Sequence, residues 1–273
     1  MEVKGKIALV TGAGSGIGQA AAAELASQGV SALALVDQND SVNQVAAGIN
    51  DRANKTLALA YIGNVTQSDF RRKVYDDIGQ KAGVVRICVP AAGITRDSLA
   101  VRLDKTTGKA TIYPEETFRQ VYEVNLIAPA YWALEMVARI AEDRFARGIG
   151  RCDPKNEKLQ GTAIFIGSVS SQGNKGQVAY AATKRGLEGV ARTLMQEAMF
   201  YGVKCAVIHP GYTDTPMVRA LGQKIIDEHI LPSTQLKRLI RPEEIASAIC
   251  FMITNSAISG ELWCDAGWHP SAS

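Results

Sequence analysis

Short, continuous apolar runs alternate along the chain with longer amphipathic stretches. The apolar runs fall at 7–10, 32–36, 57–62, 84–89, 162–167, 203–208 and 261–264. Most lack the every-second-residue alternation of a half-exposed sheet, which is the pattern of parallel strands covered on both faces. Helical patterns follow Gly18 to about Ser27 and occupy 69–81, 115–147, 178–201 and 242–255. This order predicts an α/β fold, a doubly wound parallel sheet of about seven strands with helices on both faces. With no internal repeat and no low-complexity linker, a single domain over 1–273 is the simplest account.

Three stretches stand apart from this regularity. The segment 101–113 has β-compatible flanks around Asp-Lys-Thr-Thr-Gly-Lys and predicts a small hairpin insertion. It follows a strand C-terminus, where open sheets bind ligands, so between surface decoration and a substrate border it is a better candidate for the border than 147–161. The polar, turn-rich 147–161 reads as an exposed loop, and 212–238 separates the sixth strand from the next helix. Met217, Leu221, Ile225 and Ile226 within it are candidates for an apolar wall or for ordinary helix packing.

Composition narrows the class. A net charge of +3 without a long Lys/Arg run gives no nucleic-acid surface and no membrane-binding surface. The five cysteines form no CxxC pair, which fits reduced core thiols. Met1 is followed by Glu2, Lys4 and Lys6, and no span of about 20 apolar residues exists, so a soluble, cytoplasmic protein is expected. His209 and His229 lack a partner pattern for a metal, and no metal site is expected.

The candidate chemistry lies in two places. The first apolar run leads into Thr11-Gly-Ala-Gly-Ser-Gly-Ile-Gly18 and then a helix, so backbone N–H groups and a helix N-terminus face whatever binds there. Gly12, Gly16 and Gly18 form GxxxGxG, distinct from the general GxGxxG fingerprint. The second run ends in Asp37, placed to accept from an adenosine ribose 2′-OH and to repel a 2′-phosphate, which favours NAD over NADP. The other place is Ser168 to Lys184. On a helix, Tyr180 and Lys184 leave the same face one turn apart. The ammonium should then lower the tyrosine pKa from its ordinary value of ~10, making the phenol a proton donor and acceptor for a carbonyl or carbinol oxygen.

These residues resemble the short-chain dehydrogenase/reductase family over essentially the whole chain. The quoted motifs are the glycine loop 11–18, Val124-Asn125-Leu126, Ile166-Gly167-Ser168, Tyr180-xxx-Lys184, and Pro210-Gly211 with Thr215. The resemblance implies a Rossmann-like fold and catalytic roles for Asn125, Ser168, Tyr180 and Lys184. Tyr180 would be the general acid/base, and Ser168 would polarise the reacting oxygen. Lys184 would tune the tyrosine and bind the nicotinamide ribose, while Asn125 would hold a water in a proton relay. It further implies cofactor contacts from Gly12, Ser15, Gly16, Ile17, Gly18, Asp37, Asn64, Val65, Ala91, Ala92, Gly93, Tyr180, Lys184, Pro210, Gly211, Thr213 and Thr215.

Departures from the family pattern are Pro90-Ala91-Ala92-Gly93 for NNAG, Asn64-Val65 for Asp-Val, and Asp265-Ala266-Gly267 for Asp-Gly-Gly. The serine–tyrosine interval is one residue short, which makes Ser170 a second serine candidate. Gly93-Ile94-Thr95-Arg96-Asp97-Ser98-Leu99 resembles bacterial 3-oxoacyl-carrier-protein reductases. Gln196 and Tyr201, however, stand where those enzymes carry arginines for the carrier protein. The expected activity is NAD(H)-dependent hydride transfer on a small-molecule hydroxy or keto substrate, of the 3-hydroxyacyl/3-oxoacyl type. The alternatives are an NADPH-dependent 3-oxoacyl-carrier-protein reductase and a non-catalytic NAD-binding scaffold or sensor. The apolar faces of 115–147 and 178–201 exceed what a monomer would expose, and the resemblance implies that this pair packs into a four-helix interface, so a homotetramer is expected.

Overall fold

A computed structural model describes residues 1–268; the last five residues of the domain expected over 1–273 lie outside the described part. The strands are β1 Ile7–Thr11, β2 Ala32–Asp37, β3 Ala58–Ile62, β4 Ile87–Pro90, the pair β5 Val101–Leu103 and β6 Ala110–Ile112, then β7 Gly161–Ile166, β8 Val203–Pro210 and β9 Gly260–Cys264. Helices are α1 Gly16–Ser27, α2 Ser41–Ala53, α3 Ser68–Lys81, α4 Glu115–Tyr122, α5 Ala128–Ala146, α6 Val178–Glu197, the short α7 Pro216–Arg219 and α8 Gln223–Ile225, and α9 Pro242–Thr254. The main sheet is parallel throughout, in the order β3-β2-β1-β4-β7-β8-β9. Chain order reverses between β1 and β4, and the crevice beyond their C-terminal ends is where such sheets bind ligands.

The continuous apolar strands split their residues between two cores. Ala8 and Val10, Leu33 and Leu35, Ile87 and Val89, and Ile164 and Ile166 face one core with α1, α2 and α9. Their neighbours Leu9, Ala34, Cys88 and Phe165 face the other with α3, α5 and α6. Because strand side chains alternate between faces, only an unbroken apolar run can supply both layers. The fold is a single Rossmann-like domain, as expected.

Several elements depart from the sequence pattern, and the reasons are local. Helix α2 was not among the expected helices; its buried stripe is only Val42, Ala46 and Ile49, set among Asn, Gly and Asp. The helix expected over 115–147 is interrupted by a π-helical turn at Glu123–Ile127. Pro129, in the first turn of α5, has no N–H to offer the carbonyl four residues back, that of Asn125. The α-helical ladder cannot run through that point. The hairpin at 101–113 is present, with Val101, Leu103 and Ile112 all exposed, and it points into solvent. Its base is tied by the Tyr113 hydroxyl, which donates to the Arg96 carbonyl at 2.6 Å.

The loop 147–161 is only partly exposed. Cys152 is buried, its N–H donates to the Phe200 carbonyl at 2.8 Å, and Arg144 anchors Glu157 at 2.8 Å. All five cysteines are free thiols. Exposed apolar residues Tyr122, Tyr131 and Leu134 lie on α4 and α5 and Val178 on α6, the helices on which the sequence places an oligomer contact. Among the described residues no helix is long and apolar enough to cross a membrane.

Candidate active site

At the C-terminal end of the sheet, beside the β1/β4 reversal, lies a cleft of about 550 Å³. It brings together Gly12, Ser15, Gly16, Ile17 and Gly18 from the β1–α1 turn, and Asp37 from the end of β2. Asn64 and Val65, Ala91, Ala92 and Gly93, Tyr180, Lys184 and Thr215 complete the expected residues on its wall. Pro210, Gly211 and Thr213 do not line it. Pro210 ends β8 inside the protein. Gly211 instead borders a neighbouring cavity, and the buried Thr213 turns its hydroxyl to the Gly211 carbonyl at 3.0 Å.

The cleft has the donor set for a dinucleotide. A Cβ on Gly12 would lie 2.8 Å from the backbone of Ala92, and Gly12 has φ 65°, so both space and conformation require glycine. A Cβ on Gly18 would overlap the Gly12 carbonyl oxygen. These two glycines let β1, the loop after β4 and the first turn of α1 close on one another, leaving backbone N–H groups directed at the cleft. Asp37 is aimed by its surroundings: the Gly14 N–H donates to Oδ2 at 3.0 Å and the Asn39 N–H to Oδ1 at 3.0 Å. The Asn39 side-chain amide also donates to Oδ1, at 3.2 Å; a carboxylate has about four acceptor positions, so one, on Oδ2, is left for a ribose hydroxyl. Its sequence neighbours on the wall, Gln38 and Asn39, are uncharged amides. Asn64 spends its carbonyl oxygen on Thr66 at 3.0 and 2.9 Å, and the Val65 carbonyl accepts from the Trp132 indole at 2.9 Å. Both therefore shape the wall with their remaining atoms.

A second cavity of about 620 Å³ adjoins the first, and Tyr180 stands on the wall of both. Ser168, one residue beyond Gly167 at the end of β7, is buried and accepts from the Ser170 N–H at 3.1 Å. Its side chain also hydrogen-bonds the Tyr180 phenol, which pulls the tyrosine pKa down. Ser170, the other serine candidate, receives the Asn174 amide at 3.4 Å instead.

Lys184 is buried one turn below Tyr180, with Nζ 5.5 Å from the phenol ring centroid and donating to the Ile166 carbonyl at 2.8 Å. Asn125 is fully buried in the π turn; its Oδ1 accepts from the Ile94 N–H at 2.8 Å and its Nδ2 donates to the Ile94 carbonyl at 2.9 Å. Space beside Gly93 separates Asn125 Oδ1 from Lys184 Nζ: a Cβ on that glycine would stand 3.4 Å from the first and 3.7 Å from the second.

The electrostatics differ from the sequence expectation. Burial pushes the Tyr180 phenol up to about 12, against the Ser168 hydrogen bond, and Asp97 and Tyr212 add to the rise. Burial likewise pushes the Lys184 ammonium down to about 8. The ammonium is turned to the Ile166 carbonyl and does not oppose the desolvation of the phenol. A buried lysine of this kind leaves a stability signature. Between about 8 and the ordinary 10.5 the unfolded chain holds a proton that the folded chain has lost, so wild-type stability gains as pH rises through that window. Lys184→Met removes this gain. Urea unfolding from about pH 7 to about pH 10 should show the stability difference moving in favour of the wild type. A difference independent of pH would mean that the lysine titrates normally.

The second cavity includes positions that the sequence did not single out. Of the two readings for 212–238, Met217, Leu221 and Ile225 take the wall position in this cavity, while Ile226 turns away into a small core with Ile230 and Leu239. Tyr212 and Trp268 add an aromatic side, their rings 5.0 Å apart. The hairpin contributes nothing to either cavity; Thr95 and Asp97, just before it, take the place expected for it. Residue spacing carries no signal for Trp268 or Asn174, because they arrive from opposite ends of the C-terminal half.

Comparison with known proteins agrees with this fold. A family model for short chain dehydrogenases matches residues 6–225. The chain is 33% identical over 266 residues to 3-oxoacyl-(acyl-carrier-protein) reductase FabG of Escherichia coli (strain K12), covering 96% of each chain. It is 30% identical over 268 residues to the protein of the same name from Thermotoga maritima, again covering 96% of both. A solved short-chain type dehydrogenase/reductase from Mycobacterium marinum superposes with a TM-score of 0.81 at 23% identity, over 98% of this chain and 96% of that one. The chain belongs to the short-chain dehydrogenase family, the NAD(P)-dependent oxidoreductases that act on C=O and CH–OH groups.

Proposed function

We propose that the protein transfers a hydride between NAD(H) and a secondary alcohol or ketone, of the 3-hydroxyacyl/3-oxoacyl type, with Tyr180 as its general acid/base. The observation that carries this reading is the Tyr180 phenol on the wall shared by the two cavities, with Ser168 hydrogen-bonded to it and Lys184 beneath. The nicotinamide cofactor supplies or accepts the hydride at the substrate carbon. In reduction, Tyr180 gives its phenolic proton to the substrate oxygen, and the Ser168 hydroxyl holds that same oxygen. A phenol pushed up to about 12 is in its acid form at neutral pH, which suits this direction. Lys184, pushed down to about 8, exchanges a proton near neutrality and can restore the phenol. Asn125 stands beside it as the next member of the relay, its amide locked by Ile94.

The cofactor assignment rests on the oriented Asp37 carboxylate and on its uncharged neighbours Gln38 and Asn39. The substrate class draws on the names of the relatives and on the apolar wall of Met217, Leu221 and Ile225. Those relatives are named as acyl-carrier-protein reductases, so the second reading is an NADPH-dependent reductase of carrier-bound substrates. Oxidation of NADH against NADPH with acetoacetyl-CoA, with a cofactor-only control, separates the two. NADH should be preferred, and Asp37→Ala should narrow the preference by about tenfold or more, the effect of losing a charged hydrogen-bonding group. Preference for NADPH in the wild type would overturn the NAD assignment. Binding of NADH without turnover would keep the cofactor and redirect the substrate search.

A further inference from the structure

Behind Ser168, on the side away from the cavities, α6, β8 and β9 bring three ligand-bearing side chains together. Glu188 lies one turn beyond Lys184 on α6, His209 is near the end of β8, and Glu261 is on β9. His209 is fully buried, and a side chain on Gly167 would collide with its ring, so the glycine makes room for the imidazole there. The His209 Nε2 lies 3.8 Å from Glu188 Oε1 and 3.5 Å from Glu261 Oε2. The donor atoms of all three groups fall within 4.8 Å of one another. Two of them, Glu188 Oε1 and His209 Nε2, are buried with no hydrogen-bond partner. These separations are too long for good hydrogen bonds. They are close to the spacing of about 3.3–3.5 Å between ligands held tetrahedrally at about 2.0–2.2 Å from zinc.

We propose that Glu188, His209 and Glu261 form a binding site for a divalent transition-metal ion of the zinc class. The outer contacts are those that such a site requires. The His209 Nδ1 is 3.1 Å from the Ser168 carbonyl and 3.3 Å from the Ser168 N–H; in the tautomer that donates to the carbonyl, the one that metal binding at Nε2 would select, the Nε2 lone pair points between the two carboxylates. Each glutamate has its other oxygen held by an arginine, Glu188 by Arg185 at 2.7 Å and Glu261 by Arg192 at 2.8 Å. The metal-facing oxygens are thereby fixed, and a lone pair facing two anionic groups is stabilised by a cation between them. One imidazole and two carboxylates with a solvent ligand is a zinc-type donor set. Glu261 is on the edge strand and its side chain is 18% exposed, which provides the entry path. None of the three lies near the others in sequence, so no spacing pattern could have shown the site.

Trp263 stacks on the His209 ring, with centroids 4.1 Å apart and planes 12° from parallel, and serves as a reporter. The full-length protein, dialysed against a chelator, would be titrated with Co²⁺ and then with Zn²⁺. The expected result is one Co²⁺ per chain, with visible d–d bands, quenching of tryptophan fluorescence that is lost in Trp263→Phe, and displacement by Zn²⁺. His209→Asn should abolish these signals, and Glu261→Gln, at the accessible rim, should weaken binding at least tenfold. Arg192→Ala should weaken it by about 10- to 100-fold through the outer contact. Circular dichroism and NADH binding control for folding, and the rim variant keeps the test decisive if His209→Asn does not fold. Failure of Co²⁺ to bind saturably would overturn the proposal, as would an unchanged Co²⁺ affinity in Glu261→Gln. An imidazolium at His209 by NMR in a metal-saturated solution would do the same, since the cluster would then hold a proton alone.

Discussion

Tyr180→Phe lowers kcat for ketone reduction by about 10³- to 10⁴-fold and leaves the affinity for NADH within about threefold of wild type. The phenol oxygen is the only atom lost. The ring remains on the wall between the two cavities, and the Lys184 ammonium keeps its hydrogen bond to the Ile166 carbonyl. Asp37 and the glycine turn, the proposed cofactor contacts, lose no atom. Proton delivery to the substrate oxygen then falls to water, with the Ser168 hydroxyl still holding that oxygen. Single-turnover kinetics with NADH, alongside fluorescence titration of the cofactor, reads both quantities. Retention of kcat within tenfold would remove Tyr180 from proton transfer. Equal loss of cofactor affinity would instead point to collapse of the wall.

Gly18→Ala is expected to weaken cofactor binding at least 100-fold and to destabilise the fold by about 1–3 kcal/mol, the usual cost of overpacking. Gly18 has an ordinary helical backbone, so alanine meets no conformational penalty there. The obstruction is steric: an added Cβ would overlap the Gly12 carbonyl oxygen and lie 2.7 Å from the Gly12 carbonyl carbon and 3.1 Å from the Thr11 carbonyl oxygen. All three are backbone atoms of the β1 turn, and none can rotate away. Helix α1 must therefore move off the sheet, carrying the N–H groups that form the anion site with it. Gly79→Ala is the control, since a Cβ there meets nothing within 4 Å and alanine should stabilise α3 by about 0.5–1 kcal/mol. Calorimetric titration with NADH and thermal unfolding of both variants decide the matter. If Gly18→Ala binds NADH normally, the close approach of α1 to β1 is not required.

Local pattern and tertiary arrangement divide the protein between them. The continuous apolar runs determine parallel strands covered on both faces, because alternate residues of each strand must feed two cores. The glycine turn with Asp37 marks the cleft at the end of β1 and β2 that is proposed to take the dinucleotide, and the four-residue spacing of Tyr180 and Lys184 determines that they share a helix face. These are short-range rules, legible wherever periodicity or steric demand is local. The pKa directions are not of that kind. The spacing of Tyr180 and Lys184 predicts a lowered phenol, but the folded protein raises it, since desolvation depends on everything packed around the ring. The π turn at Asn125, the hairpin that projects away from the cavities, and the aromatic side made by Tyr212 and Trp268 arise from contacts between distant elements. The meeting of Glu188, His209 and Glu261 has the same origin. Only the order of strands in the sheet, which sets β8 beside β9 beneath α6, brings that imidazole between two carboxylates.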